Sequence, residues 1–556
     1  MALSRVSITS LTASLVAALS VAVFLAAPWL DQQLVPAGWL GVAAALVLCT
    51  GRRGWRHETL VLVTAVLALA AAFHWTPTVL ADAMRTTWQA GFAFAVPIVL
   101  WDACRMALPF WVVGRVVRDP RSAWLPAALI AVATEAFVPA IFPWKIGYAQ
   151  AAWPVTMQAA DLFGAEAPTF ALFAHAGAIV VLLDGILGGG IVSGRGPGRI
   201  PAAGIAAVAI SIANLAYGAW AIDSWTRLSA AAPTVRLAVV QVDPEQDGAI
   251  DELRRLSRQA DASSADRAID LVCWPECSGG SYEAGLESFA DEAVVHRRSR
   301  PPFQGLRPLP DPPCPLLLGG TIYRGYPEKP REIFQSALLI DAQERLVGCY
   351  HKRHLMPFGE YVPAAGVIPE LRLHFPLDVE FDTGTAPDVL ACGPARLGVM
   401  LCYEDMVPEA AASLVSNSAN LLVSLVNGSA FTEPLTLAQH RLLAQGRAIE
   451  NRRCLVRCAA TGETCVISPV GTIDRRLPIK QPGVLVVDVP LLEARTVASG
   501  LGRLFPWACG AALVAAALRR GLASAGKPSP RGFDQRFCQD FRGTPRSMAA
   551  PRRSSV

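Results

Sequence analysis

Three short segments, each beside an apolar run, carry residue types that could perform acyl transfer. Glu276 follows the run 269–273, Lys352 follows Tyr350, and Cys402 follows the run 395–401. A thiol attacks a carbonyl as thiolate, so it needs a neighbouring base or cation. Glu276 could accept the thiol proton, and Lys352 could stabilise both the thiolate and the oxyanion of a tetrahedral intermediate. We therefore predict an acyl-transfer site that joins these three strand ends.

Each of these residues taken alone also has an ordinary structural explanation. Free cysteine is among the most buried residue types, and single glutamates and lysines are mostly solvated. The pairs Cys273/Cys277 and Cys454/Cys458 have a spacing that could be read as a zinc site. Their flanks lack the tight turns of zinc knuckles and no histidine pattern accompanies them, so we expect no metal and no cofactor. Disulfides among the 13 cysteines stay open.

The region that holds the three residues predicts a mixed α/β domain. Between residues 233 and 490, short β-branched runs alternate with helical or loop stretches, which is typical of buried strands between helices. Amphipathic helices are predicted over 249–268 and 434–452. Clear strand-like runs lie at 235–241, 316–320, 336–340, 420–426 and 464–468.

The rest of the chain indicates a membrane protein. Of 556 residues, 53% are hydrophobic and only 17% charged, too apolar a composition for an ordinary soluble protein. A helix that crosses a bilayer needs about 20 mostly apolar residues. The first apolar run is long and has no clean small-residue cleavage site, so we interpret it as an anchor and not as a signal peptide. Eight such spans are predicted, at about 8–30, 34–50, 59–76, 89–114, 122–143, 169–193, 200–222 and 501–518.

The positive charges between these spans predict the orientation. Basic residues are enriched in cytoplasmic loops, so both termini should be cytoplasmic. The net charge of +4 reflects these loops and the tail, and it indicates no nucleic-acid partner. The basic residues follow every even-numbered span: Arg52, Arg53 and Arg56, then Arg115, Arg118 and Arg121, then Arg195 and Arg199, then Arg519, Arg520 and Lys527.

Together these patterns predict four regions along the chain. Residues 1–222 form a seven-helix transmembrane domain, 223–500 an exoplasmic catalytic domain, and 501–520 a C-terminal transmembrane helix. Residues 521–556, rich in Pro, Ser, Gly and Arg, form a disordered basic cytoplasmic tail. Within the spans, Glu135, Asp102, Arg105 and Asp184 are costly charges that are often functional. Asp102 and Arg105, one helical turn apart, could instead neutralise each other.

The segments around Glu276, Lys352 and Cys402 resemble the nitrilase (carbon-nitrogen hydrolase) superfamily with its Glu-Lys-Cys triad. Within it, the chain is similar to the apolipoprotein N-acyltransferases, bacterial membrane enzymes that complete lipoprotein maturation. The most specific match runs from Tyr350 to Pro363, and the resemblance covers nearly all of the chain up to about residue 520. Further matches are Phe142-Pro143-Trp144, Gly147-Tyr148-Ala149-Gln150, Gln439-His440 and the helix with Arg447, Ala448 and Glu450.

The resemblance implies a membrane α-helical bundle of about eight transmembrane helices plus a nitrilase-like αββα sandwich. It implies that Glu276 is the proton acceptor, Lys352 the oxyanion and thiolate partner, and Cys402 the nucleophile. Members of this family take an acyl chain from a phospholipid as a thioester and pass it to the α-amino group of a diacylglyceryl-cysteine at a lipoprotein N-terminus. They work in the bacterial inner membrane. Supporting roles in the site would fall to Glu360, Tyr403 and Glu404.

Two other functions remain as alternatives at this point. A membrane-tethered amidase would use the same three residues and let water, not an amine, resolve the acyl-enzyme. A catalytically silent binding or transport module could be built on the same scaffold, although an intact triad argues against it. No residue in the sequence decides between an amine and water as acceptor.

The chain departs from the family pattern in several loops. Gly428 and Ala430 replace an acid and a tryptophan, Gln335 replaces an asparagine, and Ala460 begins a segment that usually starts with asparagine. The Gln-Gly-Asn element after the first strand is Gln-Val-Asp at 241–243. Because none of these positions belongs to the triad, we expect a shifted substrate preference and not a loss of chemistry.

Overall fold

A computed structural model describes residues 3–187, 199–264, 266–291, 294–295, 307–325, 332–429, 431, 433–501 and 504–525 of the chain. Its residues divide into one unit that ends at Gly510 and a second that begins at Ala511. The predicted tail beyond residue 525 lies outside the described residues.

The N-terminal half is helical and apolar. Within the described residues, six helices are long and apolar enough to cross a membrane. They are α1 (Leu3–Leu30), α2 (Val35–Cys49), α3 (Trp55–Ala72), α5 (Trp88–Val116), α9 (Ala167–Ile186) and α10 (Ala202–Ala230). Shorter helices lie between them: α4 (Thr76–Ala83), α6 (Trp124–Phe137), α7 (Pro154–Met157) and α8 (Ala160–Phe163).

The predicted membrane bundle is confirmed, and its helix count is close to the prediction. The fifth predicted span, 122–143, forms only the 14-residue helix α6 and is irregular after Phe137. Pro139 and Pro143 explain the early end, because proline lacks a backbone donor and disfavours helix in the residue before it. The eighth predicted span corresponds to the last described helix, α16 (Leu504–Ala525), which is not among the six.

The charges predicted inside the spans are paired. Arg105 donates to Asp102 at 2.6 Å, and the Trp144 indole N–H donates to the other carboxylate oxygen of Asp102 at 3.1 Å. The Glu135 carboxylate accepts hydrogen bonds from the backbone N–H of Ile146 and from a threonine hydroxyl. Asp184 forms an ion pair with Arg121 at 3.2 Å. Mutual neutralisation, the structural alternative for Asp102 and Arg105, is therefore what the bundle shows.

After α10 the chain forms a sandwich of two sheets between layers of helices, as the sequence predicted. Helix α11 (Ala249–Ser263) packs on the first sheet, and α13 (Pro408–Ser416) and α14 (Pro434–Asn451) pack on the second. Two short helices, α12 (Leu371–His374) and α15 (Val497–Leu501), complete the described part. The strands are β1 (Thr234–Gln241), β2 (Leu271–Cys273), β3 (Ser281–Glu283), β4 (Leu316–Arg324), β5 (Glu332–Ile340), β6 (Leu346–His351), β7 (Val389–Cys392), β8 (Ala395–Leu401), β9 (Leu421–Val426), β10 (Leu455–Ala459), β11 (Cys465–Ile467), β12 (Ile473–Arg476) and β13 (Gly483–Pro490).

The strand order explains why distant segments meet. Within the described residues, the first sheet has the order β13-β1-β2-β4-β5-β6, with β3 beside β4, and the second has the order β12-β11-β10-β9-β8-β7. Strands β1, β2 and β4 run parallel, and so do β8, β9 and β10, so within each sheet the carboxyl ends of these strands lie at one edge. Apolar side chains from both sheets fill the space between them, Leu237 and Val399 among them. Because the two sheets pack face to face, loops at these strand ends can bring side chains from both sheets together.

Helix α14 also fixes the sandwich on the membrane helices. Gln439 accepts a hydrogen bond from the Trp75 indole at 2.9 Å and donates to the carbonyl oxygens of Trp29 and Ala72, each at 2.9 Å. These two carbonyls lie at the ends of α1 and α3. A buried glutamine that satisfies the ends of two membrane helices ties the second sheet to the bundle.

Candidate active site

Glu276 lies just beyond the end of β2, in a turn that approaches β4 closely. The backbone N–H of Trp274 donates to Leu317 at 2.8 Å, so the chain continues along the sheet for one more residue. A Cβ at Gly319 would lie 2.6 Å from the Glu276 Cα, so this approach requires glycine. The side chain of Glu276 is 4% exposed. Burial raises the pKa of this carboxyl, against the opposing effect of Lys352.

Lys352 follows β6 and lies between two carboxylates. Its ammonium group donates to Glu276 at 3.2 Å and to Glu360 at 2.5 Å, and the residue is 1% exposed. Burial alone would lower the pKa of Lys352, but the two carboxylates outweigh burial and raise this pKa well above its ordinary value. Lys352 is therefore a permanent cation at the centre of the site.

Cys402 begins a short helical turn, Cys402–Met406, directly after β8. Its backbone φ is +45°, in the left-handed region that residues with side chains seldom adopt, and such strain is common where a nucleophile is presented. The thiol lies 3.7 Å from the carbonyl oxygen of Asn427. Burial and Glu276 raise the pKa of the Cys402 thiol well above its ordinary value, although Lys352 opposes them. The resting group is therefore a thiol, which needs a base to become a nucleophile.

The structure thus brings Glu276, Lys352 and Cys402 into one site, where strand ends of the two sheets meet. A second hydrogen bond orders Glu276: the backbone N–H of Asn427 donates to its carboxylate at 3.1 Å. Asn427 follows β9 and contacts both Glu276 and Cys402. This arrangement places a proton acceptor, a fixed cation and a thiol around one position where a carbonyl could react.

Glu360 and Glu404, both expected to support the site, occupy different positions. Glu360 contacts Lys352 and also accepts a hydrogen bond from the Met356 backbone at 2.8 Å, so it orients the ammonium group. Glu404 is fully buried and accepts from the Tyr350 hydroxyl and from the backbone N–H groups of Leu401, Arg353 and His354 at 2.8–3.1 Å. It joins the loop after Lys352 to the turn of the nucleophile.

Tyr403 links the Cys402 turn to the segment after membrane helix α6. Its hydroxyl donates to the carbonyl oxygen of Ile141 at 2.7 Å, in the irregular segment that follows α6. The side chain is 8% exposed and packs in the apolar core of the helical bundle. Tyr403 therefore holds the Cys402 turn in a fixed position against the helical bundle.

Asp405, which sequence reasoning missed, belongs to the same turn and anchors it to the second sheet and to α14. This carboxylate is fully buried and accepts hydrogen bonds from Ser424 at 2.8 Å, His440 at 2.7 Å and Arg457 at 3.1 Å. Burial would raise the pKa of Asp405, but His440 and Arg457 together lower it to about 2. The signal was available in part, since His440 belongs to a recognised motif, but nothing in the spacing pairs it with Asp405.

The other family-like motifs also lie beneath the site. Arg447 donates to the carbonyl oxygen of Met406 at 2.7 Å and pairs with Glu450 on the same helix. The hydroxyl of Tyr148 donates to Glu450 at 2.5 Å. Tyr148 is 1% exposed, so in this motif the aromatic ring is a buried docking residue and not part of an interfacial belt.

An apolar cavity lies beside the nucleophile turn, with about 750 Å³ of space including its open mouth. Met406 and Phe431 come from the sandwich, and aromatic residues of the bundle form the opposite wall. The bundle contributes Trp29, Phe73, Trp75, Phe142 and Trp144 to the lining.

The loops that depart from the family pattern border the site. Gly428 follows Asn427, and a Cβ there would lie 2.9 Å from Leu437 and 3.2 Å from Thr461. Gln335 donates to the Cys277 sulfur at 3.4 Å, beside the base. The Ala460 backbone N–H pairs with Val426 at 2.9 Å. Ala430 lies outside the described residues.

Comparisons with known proteins agree along the chain. The apolipoprotein N-acyltransferase N-terminal domain matches residues 21–178, and the carbon-nitrogen hydrolase family matches residues 236–499. An apolipoprotein N-acyltransferase from Geobacter metallireducens is 29% identical over 90% of this chain and 94% of its own. One from Azotobacter vinelandii is 31% identical over 70% of this chain and 72% of its own. One from Caulobacter vibrioides is 30% identical over 77% of each chain.

Proposed function

This chain belongs to the apolipoprotein N-acyltransferase family, and on that premise we propose that it transfers an acyl chain through a Cys402 thioester. The family membership predicted from the sequence is confirmed. The protein is a membrane enzyme of lipoprotein maturation. The observation that supports the proposed triad is the contact of Lys352 with Glu276 beside the strained Cys402 turn.

In the first step, Glu276 takes the proton from the Cys402 thiol as sulfur attacks the ester carbonyl of the donor. Lys352 stabilises the oxyanion of the tetrahedral intermediate, a contribution typically worth about 100- to 1000-fold in rate. The intermediate collapses, the ester C–O bond breaks, and the leaving alkoxide takes the proton from Glu276. Burial raises the pKa of Glu276, which makes this carboxylate a stronger proton acceptor than an ordinary one.

In the second step, the α-amino group of the lipoprotein attacks the thioester carbonyl. Glu276 accepts the amine proton, Lys352 again stabilises the oxyanion, and the C–S bond breaks. The sulfur leaves and regains its proton from Glu276. Both half-reactions use the same three side chains, so the enzyme alternates between a free thiol and an acyl-thioester.

The proposed donor is a phospholipid, and the proposed acceptor is a diacylglyceryl-cysteine at a lipoprotein N-terminus. The apolar cavity beside Met406 and Phe431 supports a lipid donor, because its walls are aromatic and aliphatic. Tyr403 and Gln439 hold the sandwich on the membrane helices, which supports reactants that are themselves anchored in lipid.

We predict transfer to an amine and not hydrolysis. The full-length chain in detergent is incubated with phospholipid and a synthetic diacylglyceryl-cysteine peptide, and the products are followed by mass spectrometry. We expect one acyl chain on the peptide α-amino group, and none when that group is acetylated beforehand. Release of free fatty acid at the same rate with both peptides would favour the amidase alternative. Restored growth of a host depleted of its own N-acyltransferase provides the cellular test.

We also predict that residues 223–500 face the periplasm and that both termini are cytoplasmic. The arginine bias between the helices is the physical reason. A reporter that is active only in the periplasm should be active when fused after Ala230 and inactive when fused after Arg199. The reverse pattern would invert the orientation and remove access to exported lipoproteins.

A further inference from the structure

A second apolar cavity lies within the helical bundle, between α1, α2, α3 and α5. It holds about 580 Å³ of space, a figure that includes solvent at its open mouth. Small side chains leave this space, because Ala18, Ala45 and Ala65 stand where larger residues would fill it. Larger apolar residues complete the wall, among them Val21, Leu25, Val61 and Phe110. None of these residues belongs to the proposed active site.

One end of this cavity is basic. Arg52, in the loop between α2 and α3, and His57, in the first turn of α3, both line it. The His57 Nε2 atom is buried and has no hydrogen-bond partner among the described residues. The nearby acid Glu58 is already engaged by Arg115 at 2.7 Å. A buried, unpaired imidazole nitrogen next to an arginine favours an anionic, hydrogen-bonding ligand.

The surrounding loop adds to this positive charge. Residues 51–56 include three arginines and no acid. Arg53 donates to the carbonyl oxygen of Arg115 at 2.6 Å, which holds the loop against the end of α5. Gly114 permits the approach, because a Cβ there would lie 2.9 Å from the carbonyl oxygens of Cys49 and Arg52. The basic end is therefore a built part of the bundle.

We propose that this cavity binds one anionic phospholipid, with an acyl chain among α1, α3 and α5 and the phosphate at Arg52 and His57. Guanidinium groups pair well with phosphate oxygens, and basic pockets between membrane helices bind anionic headgroups. The apolar walls suit contact with a hydrocarbon chain, because water against them would lack polar partners. This lipid would be a resident of the bundle, separate from the acyl donor.

The test uses the full-length chain carrying Cys402→Ala, so that bound lipid is not consumed and failure of the proposed chemistry cannot affect the result. Dioleoyl phosphatidylglycerol is titrated into delipidated protein, and its binding is followed by native mass spectrometry and by the thermal midpoint. We expect one tightly bound lipid and a raised midpoint. In Arg52→Gln the affinity should fall about tenfold or more, because a charged hydrogen bond is lost.

Three comparisons make the outcome decisive. Arg118→Gln removes the same charge from an exposed position that does not line the cavity, and should bind lipid as the parent does. Ala17→Leu narrows the apolar part and should weaken binding with the basic end intact. Inorganic phosphate alone should leave the thermal midpoint unchanged. Equal lipid binding by the parent and Arg52→Gln would overturn the proposal, and so would full stabilisation by inorganic phosphate, which would indicate an ion site. Arg52 is exposed, so its replacement does not threaten folding.

Discussion

Glu276→Gln and Lys352→Met should each slow formation of the acyl-enzyme by about 100- to 1000-fold while the chain stays folded. The glutamine keeps an oxygen that can accept from the Asn427 backbone, but it cannot take the thiol proton. The methionine keeps the length of the lysine side chain but removes the positive charge that contacts both Glu276 and Glu360. The rate of thioester formation in a single turnover gives the measurement directly.

A second buried lysine–glutamate pair provides the matched control. Lys145 and Glu166 lie 2.8 Å apart, are similarly buried, and lie outside the candidate site. Lys145→Met and Glu166→Gln should lower the thermal midpoint but leave the rate per folded molecule near that of the parent. If the two site variants behaved like these controls, Glu276 and Lys352 would be structural residues and the proposed triad would be wrong.

Asp405→Asn should strongly lower the stability of the sandwich. Removing this carboxylate leaves Arg457 and its guanidinium charge buried without the partner at 3.1 Å. Breaking a buried ion pair on one side typically destabilises a protein by about 3–5 kcal/mol. Ser424→Ala, which removes one neutral hydrogen bond to the same carboxylate, should reduce the free energy of unfolding by about 1 kcal/mol. Unfolding in denaturant, followed for the detergent-solubilised chain, measures both.

The pH dependence of stability offers an independent check on Asp405. Its pKa is lowered from 3.8 to about 2 in the folded chain, because His440 and Arg457 favour the ionised form. Because the pKa is lower in the folded state, ionised Asp405 stabilises the fold at pH values above its ordinary pKa of 3.8. This contribution is lost as the pH falls from about 4 towards 2. Asp405→Asn should remove that part of the profile. An unchanged profile, or an unfolding free energy equal to that of the parent, would exclude this role.

The positions of the three reactive residues could be predicted because each follows an apolar run. Each of them follows a strand end, but β2 and β8 belong to different sheets, so the meeting of Glu276 and Cys402 depends on how the two sheets pack. Asp405 could not be found in this way, since its partners come from β9, β10 and α14. Burial of a charge through three distant segments leaves no periodic signal in the sequence.

The role of Glu404 shows a second limit of the sequence. A carboxylate two residues after the nucleophile suggests a group that faces the substrate, yet its oxygens accept from Tyr350 and from three backbone N–H groups. Which way a side chain points depends on the left-handed turn at Cys402, and that conformation is not encoded by residue type. Its role in joining the loop after Lys352 to the Cys402 turn follows from these hydrogen bonds.

The membrane half could be predicted to within one or two spans. Hydropathy gives the long helices, but it extended the fifth span through Pro139 and Pro143, where the chain is irregular. The motifs after that span make two kinds of contact: Tyr148 donates to Glu450 of the sandwich, whereas Trp144 donates to Asp102 within the bundle. Long-range partners of this kind are set by how the sandwich docks, which no local pattern contains.

Substrate preference stays a prediction, and the structure refines its physical basis. If the acid were restored at position 428, its Cβ would lie 2.9 Å from Leu437. Glycine at this position therefore allows Leu437 to pack closely against the loop. Phe431 already lines the apolar cavity beside Met406 and can supply an aromatic wall in place of the tryptophan that the family usually has nearby. We therefore expect the shift in substrate preference to depend on the whole loop 427–431 and not on a single residue.

The mass of the Cys402 peptide after incubation of the full-length chain with phospholipid is the most direct test of the central claim. The thioester mechanism predicts one added acyl chain on this peptide, removed by hydroxylamine. Cys277, which follows the base and whose pKa burial raises to about 12, is the matched control. Cys277→Ser should keep the label, and Cys402→Ala should lose it. An acyl chain that stays on the protein in Cys402→Ala would contradict the assignment of Cys402 as the nucleophile.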